Sequence, residues 1–582
     1  MNLSWVDAGI VVVYLVAVLL VGVYMERRAG KDIQSYFLGG GTLPWWMLGM
    51  SGSSTYFDIT GTMWMVSVFY VLGIRGMWEQ WFWAFPFAGF AMAYKGKWAY
   101  RSGVLTGMEW LVFRYGTGRQ GQSARLTMVL INLLIMVFML GYAGIGVGIF
   151  LEEFLPFGRN TMVVGLFAIT GLYVLLGGFF SVVWSDFFQT ILLSVAAVYI
   201  SVTAFLQIDP ATFRTDVGDQ WFQLAPVWRL DPTPEKYPDP FGLLVLLWVT
   251  KGVITLFQAP GGGADFQRFR AAKNEADASK VGFAWGMVIT VRWALVMSFT
   301  AYGLAILSET GNAVDSEAVL PMVLNRVLPV GIKGMVIAGL IAAFMSTFDS
   351  TLNVAASFVT NDLVKPIWKS ATQKQLMLVS YLSTALLVML GIAISFKTES
   401  IASIWNPINF ALGSAAIVPF LLSAYWWRIN GWSFCVSAAI TLPIAFYIKV
   451  FTDLRELQYF PILFGSSLVA TMIASVWLPS TSKESLIEFY DKVRPFGFWT
   501  PVRKWIEESG GNPARPKQDR GDLPIALLGT FFFVVLYLLM MDLVIHNWGR
   551  VWVLAALTLI SGLGLYFFWW RRLAISDNAS GK

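Results

Sequence analysis

Ser346, Asp349, Ser350 and Asn353 stand at i, i+3, i+4 and i+7 in the stretch IAAFMSTFDSTLN, residues 341–353. On a helix those offsets fall on one face about 100° wide, so four oxygen-bearing side chains share a stripe. The surrounding segment, near 333–356, is otherwise apolar enough to cross a bilayer. Oxygen donors are what a hard cation takes as ligands, and a carboxylate at that depth marks a functional site by default, because its burial is costly. At a rise of ~1.5 Å per residue, Ser346 to Ser350 lie about 20 to 25 Å from the outer end of the segment, in the inner half of the membrane. The competing reading has Ser346 and Thr347 bonding back to i−4 carbonyls while Asp349 ties helices together.

Other ionisable residues fall inside apolar segments. Asp186 enters just above the cytoplasmic end of its own segment. Asp58 lies within SGSSTYFDITG (51–61), a run that interrupts one span, and a second run, APGGGAD (259–265), interrupts another and contains Gly262. Such runs are turns in water, and inside a membrane they are tolerated only where the freed backbone lines a cavity or binds something. Asp58 either balances the charge of a bound ion or solute or caps the second half-helix by accepting a backbone N–H. Lys251 and Arg292 sit well inside their spans and need carboxylate partners. For Arg292 these are Asp58, Glu79 or the carboxylate of a bound solute. Glu79 in GMWEQWFW lies near an outer helix end, where Trp78, Trp81 and Trp83 read as interfacial belt or as flat faces for a sugar ring. Asn406 and Asn409 in WNPINF open a further span, as gate residues or as caps.

The elements that position these residues are transmembrane helices. Of 582 residues 57% are hydrophobic and 13% charged, outside the range of a soluble globular chain. Apolar runs long enough to span hydrocarbon recur about fifteen times. They lie near 5–25, 44–72, 76–95, 126–150, 161–179, 182–207, 241–260, 281–308, 333–356, 375–396, 402–427, 431–452, 459–479, 522–546 and 549–570. The fold class is therefore an all-α polytopic membrane protein. The first run begins with Trp5 and Asp7 rather than a basic segment, so it reads as a retained anchor helix, not a cleaved signal. Lys and Arg, with Arg27, Arg28, Lys95, Lys97, Arg268, Arg270 and Lys273 among them, gather on one set of alternating loops, which predicts the N-terminus outside and the C-terminus in the cytoplasm. The net charge of +6 is thus a topology signal, and no nucleic acid partner is expected. One cysteine, Cys435, and one histidine, His546, exclude an intrachain disulfide and a His/Cys metal site. GxxxxGK[ST], GxSxG and HExxH motifs are missing from the sequence, so an enzyme is not expected. The loop near 480–521 reads as a solvated connector with room for a short interfacial helix.

The two interruptions are five spans apart, and an odd number of crossings inverts orientation. The halves that begin with them are inverted repeats, the layout of secondary transporters with broken helices at the midplane. Five ordered stretches then resemble the sodium:solute symporter family, relatives of the sodium/glucose and sodium/proline cotransporters. They are SYFLGGGTLPWWMLGMSGSS (35–54), LYVLLGGFFSVVWSDFFQ (172–189), DFQRFRAAKNEADASK (265–280), IAGLIAAFMSTFDSTLN (337–353) and NFALGSAAIVPFLLSAYWWRING (409–431). The resemblance implies a leucine-transporter-type core of five plus five helices, with a first repeat at 44–240 and a second at 241–430. An N-terminal helix and loop (1–43) precede the core and C-terminal helices (431–582) follow it. It also implies sodium as coupling ion and alternating access. The common sodium site would take the carbonyls of Ser54, Phe57 and Ala343 and the hydroxyls of Ser346 and Thr347. A second sodium site, found in some members, would use Asp186, Ser346, Asp349 and Ser350. Asp349 stands where some two-sodium members have serine.

These readings together predict a sodium-coupled importer of a small polar organic solute in a bacterial-type inner membrane. The solute leans to a sugar or sugar acid, with Asp58, Glu79, Lys251, Gly262, Arg292 and Asn409 as candidate contacts. An amino acid or other carboxylate is the alternative, as is proton coupling through Asp58, Asp186 or Asp349. A membrane sensor on the same scaffold is the competing class. No cofactor beyond sodium is expected, the partners are sodium, the solute and the lipid bilayer, and a monomer is expected to be competent.

Overall fold

The computed structural model describes residues 3–29, 33–234, 237, 239–261, 264–311, 315–397, 412–516 and 519–573. Among them the secondary structure is helical, in sixteen main helices. These are α1 (Trp5–Ala29), α2 (Trp45–Thr55), α3 (Ile59–Leu72), α4 (Arg119–Glu152), α5 (Arg159–Gln207), α6 (Phe241–Phe257), α7 (Ala264–Arg270), α8 (Glu275–Val288), α9 (Thr290–Thr310), α10 (Ile332–Ser357), α11 (Gln373–Lys397), α12 (Gly413–Ser423), α13 (Trp432–Phe451), α14 (Glu456–Trp477), α15 (Asp522–Val544) and α16 (Trp548–Leu565). Eleven helical stretches among the described residues are long and apolar enough to cross a membrane, and α6 and α12 are shorter apolar helices.

One of those stretches is α5, whose 49 residues would extend about 74 Å if straight, more than twice the hydrocarbon thickness. It is not straight. Gly178 takes φ 50° and ψ −144°, and the Ser181 hydroxyl donates to the Tyr173 carbonyl at 3.1 Å, eight residues back. In a continuous helix those residues would be about 12 Å apart along the axis. The chain therefore folds back near Gly178, at the end of the run expected at 161–179 and just before the one expected at 182–207.

The third expected span, 76–95, is not one helix. Met77–Gln80 and Trp81–Trp83 are short turns that end at Ala84 in the left-handed region, φ 50°, and helical structure resumes only at Ala88. Pro86 cannot donate a backbone hydrogen bond to continue the first piece. The span expected at 281–308 likewise divides at Ile289 into α8 and α9.

Nearly every face of α10 is buried, whereas α1 is mostly exposed on the outside of the bundle. Small residues let neighbours approach α10 closely: a Cβ on Gly334 would lie 2.5 Å from Cα of Asp7. Asp7 accepts the N–H groups of Gly331 at 2.7 Å and Gly334 at 2.8 Å. A carboxylate on α1 thus satisfies the unpaired donors that open α10.

The 480–521 loop is more than a solvated connector. It holds two helices, Lys483–Val493 and Thr500–Glu508, whose Leu486, Phe489, Tyr490, Trp499 and Val502 are buried. Behind them Lys97 pairs with Asp519 at 2.9 Å and Asp522 at 2.7 Å, and Arg101 pairs with Asp519 at 2.7 Å and Glu275 at 2.5 Å. Lys97, read from sequence as a loop charge, is buried in that network.

Candidate functional site

The first interruption is a short break. Helix α2 ends at Thr55 and α3 begins at Ile59, so Ser51 to Thr55 remain helical and only Tyr56, Phe57 and Asp58 leave the helix. Asp58 caps α3 by accepting the Gly61 N–H at 2.9 Å, one of the two roles expected for it. The second break separates α6 from α7 and includes Gln258 to Gly261. Gly262, Asn406 and Asn409 lie outside the described residues.

Helix α10 meets the first break directly. The Thr347 hydroxyl donates to the Thr55 carbonyl at 2.7 Å and stands 3.2 Å from the Ala343 carbonyl, its i−4 partner. It therefore makes the back-bond of the competing reading and also a contact across to the end of α2. The Ser54 carbonyl accepts the Phe57 N–H at 3.0 Å, and both α2 and α3 pack on α10. The Thr55 carbonyl from a broken helix and a hydroxyl from a facing helix are thus brought together, donor types that suit a hard cation. The Ser346 hydroxyl turns elsewhere and donates to Asp186. Ser53 and Ser54 keep buried hydroxyl oxygens with no partner among the described residues.

The remaining stripe residues form a second cluster. Asp186 accepts from Ser51 and Ser346. Asp349 accepts from Tyr173, on the first limb of α5, and from Ser350 at 3.2 Å. Into the same cluster reaches Arg268 from α7. Its Nη2 donates to Ser350 and Thr55 hydroxyls, each at 2.7 Å, and lies 3.3 Å from Asp186 Oδ2. Arg268, read as a cytoplasmic loop charge, is a fully buried residue at 0% exposure. Reading it as such missed a residue of the cluster, although its place three residues after the run APGGGAD (259–265) was a usable signal. Tyr173 left no signal in the sequence.

Arg292 is paired with Asp58 at 3.3 Å and also donates to the Tyr56 carbonyl freed by the break, while Tyr142 donates to Asp58 at 3.2 Å. Of the three partners expected for Arg292, Asp58 is the one in place. The Arg292 Nε is buried without a hydrogen-bond partner among the described residues. Glu79 is drawn outward to Tyr237, which donates to it at 2.7 Å. Lys251 donates to the Phe82 carbonyl at 2.8 Å and lies 3.7 Å from the centre of the Phe82 ring. Trp78 is held by a bond to the Leu224 carbonyl at 2.7 Å. The structure therefore unites Asp58 with Arg292 and places Glu79, Lys251 and Trp78 in contacts of their own. Tyr56, which drew no attention in the sequence, is 48% exposed between buried Thr55 and Phe57, with its ring 5.4 Å from that of Trp285 and 5.9 Å from that of Phe87.

Comparison with known proteins adds an independent line. A family model described as the sodium:solute symporter family matches residues 36–433. The chain is 26% identical to sodium/glucose cotransporter 4 of Danio rerio over 74% of its length and 69% of that protein's. It is also 26% identical to the osmoregulated proline transporter OpuE of Bacillus subtilis (strain 168), over 81% of its length and 95% of that protein's. A solved structure of a Na+-coupled sialic acid symporter, substrate-bound and outward-open, superposes with a TM-score of 0.68 at 19% identity, covering 82% of this chain and 99% of that one.

Proposed function

The chain belongs to the sodium:solute symporter family, and from that premise we propose that it imports a sugar or sugar acid. As a member it is an integral membrane transporter rather than an enzyme, and sodium is its coupling ion. One observation carries the assignment of the ion site: Thr347 of α10 donates to the carbonyl that closes α2 at the break. On this reading Ser54, Phe57, Ala343, Ser346 and Thr347 surround the ion. Ser346 would turn from Asp186 towards it, and the orphaned hydroxyls of Ser53 and Ser54 line the same break.

The solute lies beside Tyr56, a half-exposed aromatic residue whose ring packs on Phe87 and Trp285 and whose carbonyl accepts from Arg292. A ring bearing hydroxyls suits such a neighbour. The unpartnered Nε of Arg292 favours a second reading, in which the solute carries a carboxylate, as a sugar acid or an amino acid does. Relatives include cotransporters for glucose and proline, so relatedness supports either class. The halves 44–240 and 241–430 serve as the inverted repeats, each opening with a broken helix. The N-terminus faces outward and the C-terminus the cytoplasm of a bacterial-type cell.

The test is uptake by the purified chain in proteoliposomes, with and without an inward sodium gradient, against panels of sugars, sugar acids and amino acids. Concentrative uptake of a sugar or sugar acid that collapses without the gradient is expected. Uptake confined to amino acids would overturn the solute class, and uptake indifferent to sodium would overturn the ion site.

A further inference from the structure

Two oxygen sets meet at Thr55 of α2, and they are not equivalent. The first, at the break, gathers backbone carbonyls with the Thr347 hydroxyl. The second, Asp186, Ser346, Asp349 and Ser350, is the set a second sodium ion would use. In it every one of the four side chains is already engaged by the protein. Asp186 accepts from Ser51, Ser346 and Arg268, Asp349 accepts from Tyr173, and Ser350 accepts from Arg268.

The guanidinium of Arg268 reaches two members of this set directly, Asp186 and Ser350. Its Nη2 has four oxygens within 3.3 Å: the hydroxyls of Ser350 and Thr55, a carboxylate oxygen of Asp186 and the Ser51 carbonyl. Its Nε donates to the Ser51 hydroxyl at 3.0 Å. A hard cation held by those oxygens would lie about 2.3 to 2.6 Å from each, inside the volume that Nη2 fills. Arg268 and Asp186 are both at 0% exposure, so each needs the other's charge. A free ion added beside a fixed guanidinium would meet a like charge in a medium of low dielectric.

We propose that Arg268 is a tethered cation standing in place of a second sodium ion, so that this chain binds one sodium. The inference rests on the ion site assigned above. Arginine suits the position because its planar fork serves several oxygens at once while its charge is permanent. Since α7 is the inner half of the second broken span, this built-in cation also joins both breaks to α5 and α10.

Counting bound ions tests this without knowing the solute. Equilibrium binding of radioactive sodium to the purified full chain in lipid nanodiscs is expected to saturate at one ion per chain, with a titration slope of one. Arg268→Gln keeps hydrogen-bond donors but removes the charge, and the count should rise to two. Two ions in the unaltered chain would overturn the proposal, as would a folded Arg268→Gln protein that still binds one. If Arg268→Gln does not fold, the unaltered chain decides: one ion with a slope of one supports the tethered cation, and two ions refute it. No bound sodium at all would overturn the ion-site reading and this inference with it.

Discussion

Asp58→Asn isolates the ion pair at the first break, because asparagine caps a helix about as well as aspartate and the bond from Gly61 is kept. What is lost is the charge facing Arg292. At 3.3 Å the pair interacts by about 5 kcal/mol at an effective dielectric of about 20. The side chains are 11% and 17% exposed, and Arg292 keeps the Tyr56 carbonyl, so the expected cost is lower, about 3 kcal/mol. Arg292→Met should cost less, about 2 kcal/mol, because Asp58 retains Gly61 and Tyr142 as donors. In the double variant neither charge is left alone, so its cost should fall short of the sum by about 2 kcal/mol. Unfolding by sodium dodecyl sulfate, followed through tryptophan fluorescence, measures all three. Costs that simply add would refute the argument and leave Arg292 free to serve the solute. Loss of transport at undiminished stability in Arg292→Met would point the same way.

Thr347→Val keeps the shape of the side chain but removes the hydroxyl proposed as an ion ligand, a term of about 1.5 to 3 kcal/mol, so apparent sodium affinity should fall roughly tenfold to a hundredfold; sodium titration of the folded variant checks it. Gly146→Ala would put a Cβ 1.7 Å from the Thr60 hydroxyl, on the turn that follows Asp58. An overpacking cost of about 1 to 3 kcal/mol is expected, read as lower resistance to detergent unfolding, and Thr60→Ala in the same chain should recover part of it. Burial pushes the Asp519 carboxyl up, but Lys97 and then Arg101 overcome it and bring it down to about 2. A depressed carboxyl contributes stability that is complete above an unfolded value of about 4 and lost as pH falls towards about 2, a term on the order of 2 kcal/mol. Unfolding profiles over that window should therefore flatten in Asp519→Asn.

The order of helices was legible because hydropathy runs of membrane length need nothing but local sequence. The breaks were legible for a related reason: SGSSTYFDITG and APGGGAD cannot be apolar helix throughout. Their effect was less visible. In the first, eight of the eleven residues stay helical and the break narrows to Tyr56, Phe57 and Asp58, since Ser and Thr tolerate helix when α10 supplies packing and bonds. The segment after Met77 was read as a span because its tryptophans and phenylalanines are apolar. Its backbone instead turns at Ala84 and Pro86, which an average over a window does not register. The role of Asp7 was equally hidden, since its partners Gly331 and Gly334 are more than three hundred residues away.

Charge is where the local reading fails, and the failure has one physical cause. A window around Lys97 or Arg268 contains other basic residues and looks like a cytoplasmic loop, so both were counted towards topology. Whether such a cation stays in water depends on whether a carboxylate waits for it inside, and that carboxylate is remote: Asp519 is 422 residues from Lys97, and Asp186 is 82 residues from Arg268. For Lys97 the consequence is structural, because its carboxylates belong to the segment that leads into α15. For Arg268 it bears on the proposed ion count, because its carboxylate is one of the oxygens proposed for a second sodium site. A sequence that places aspartate at 186 and again at 349 therefore does not by itself announce two ion sites. The charge that Asp186 demands can be supplied from within the chain, and an arginine shortly after a helix break is positioned to supply it.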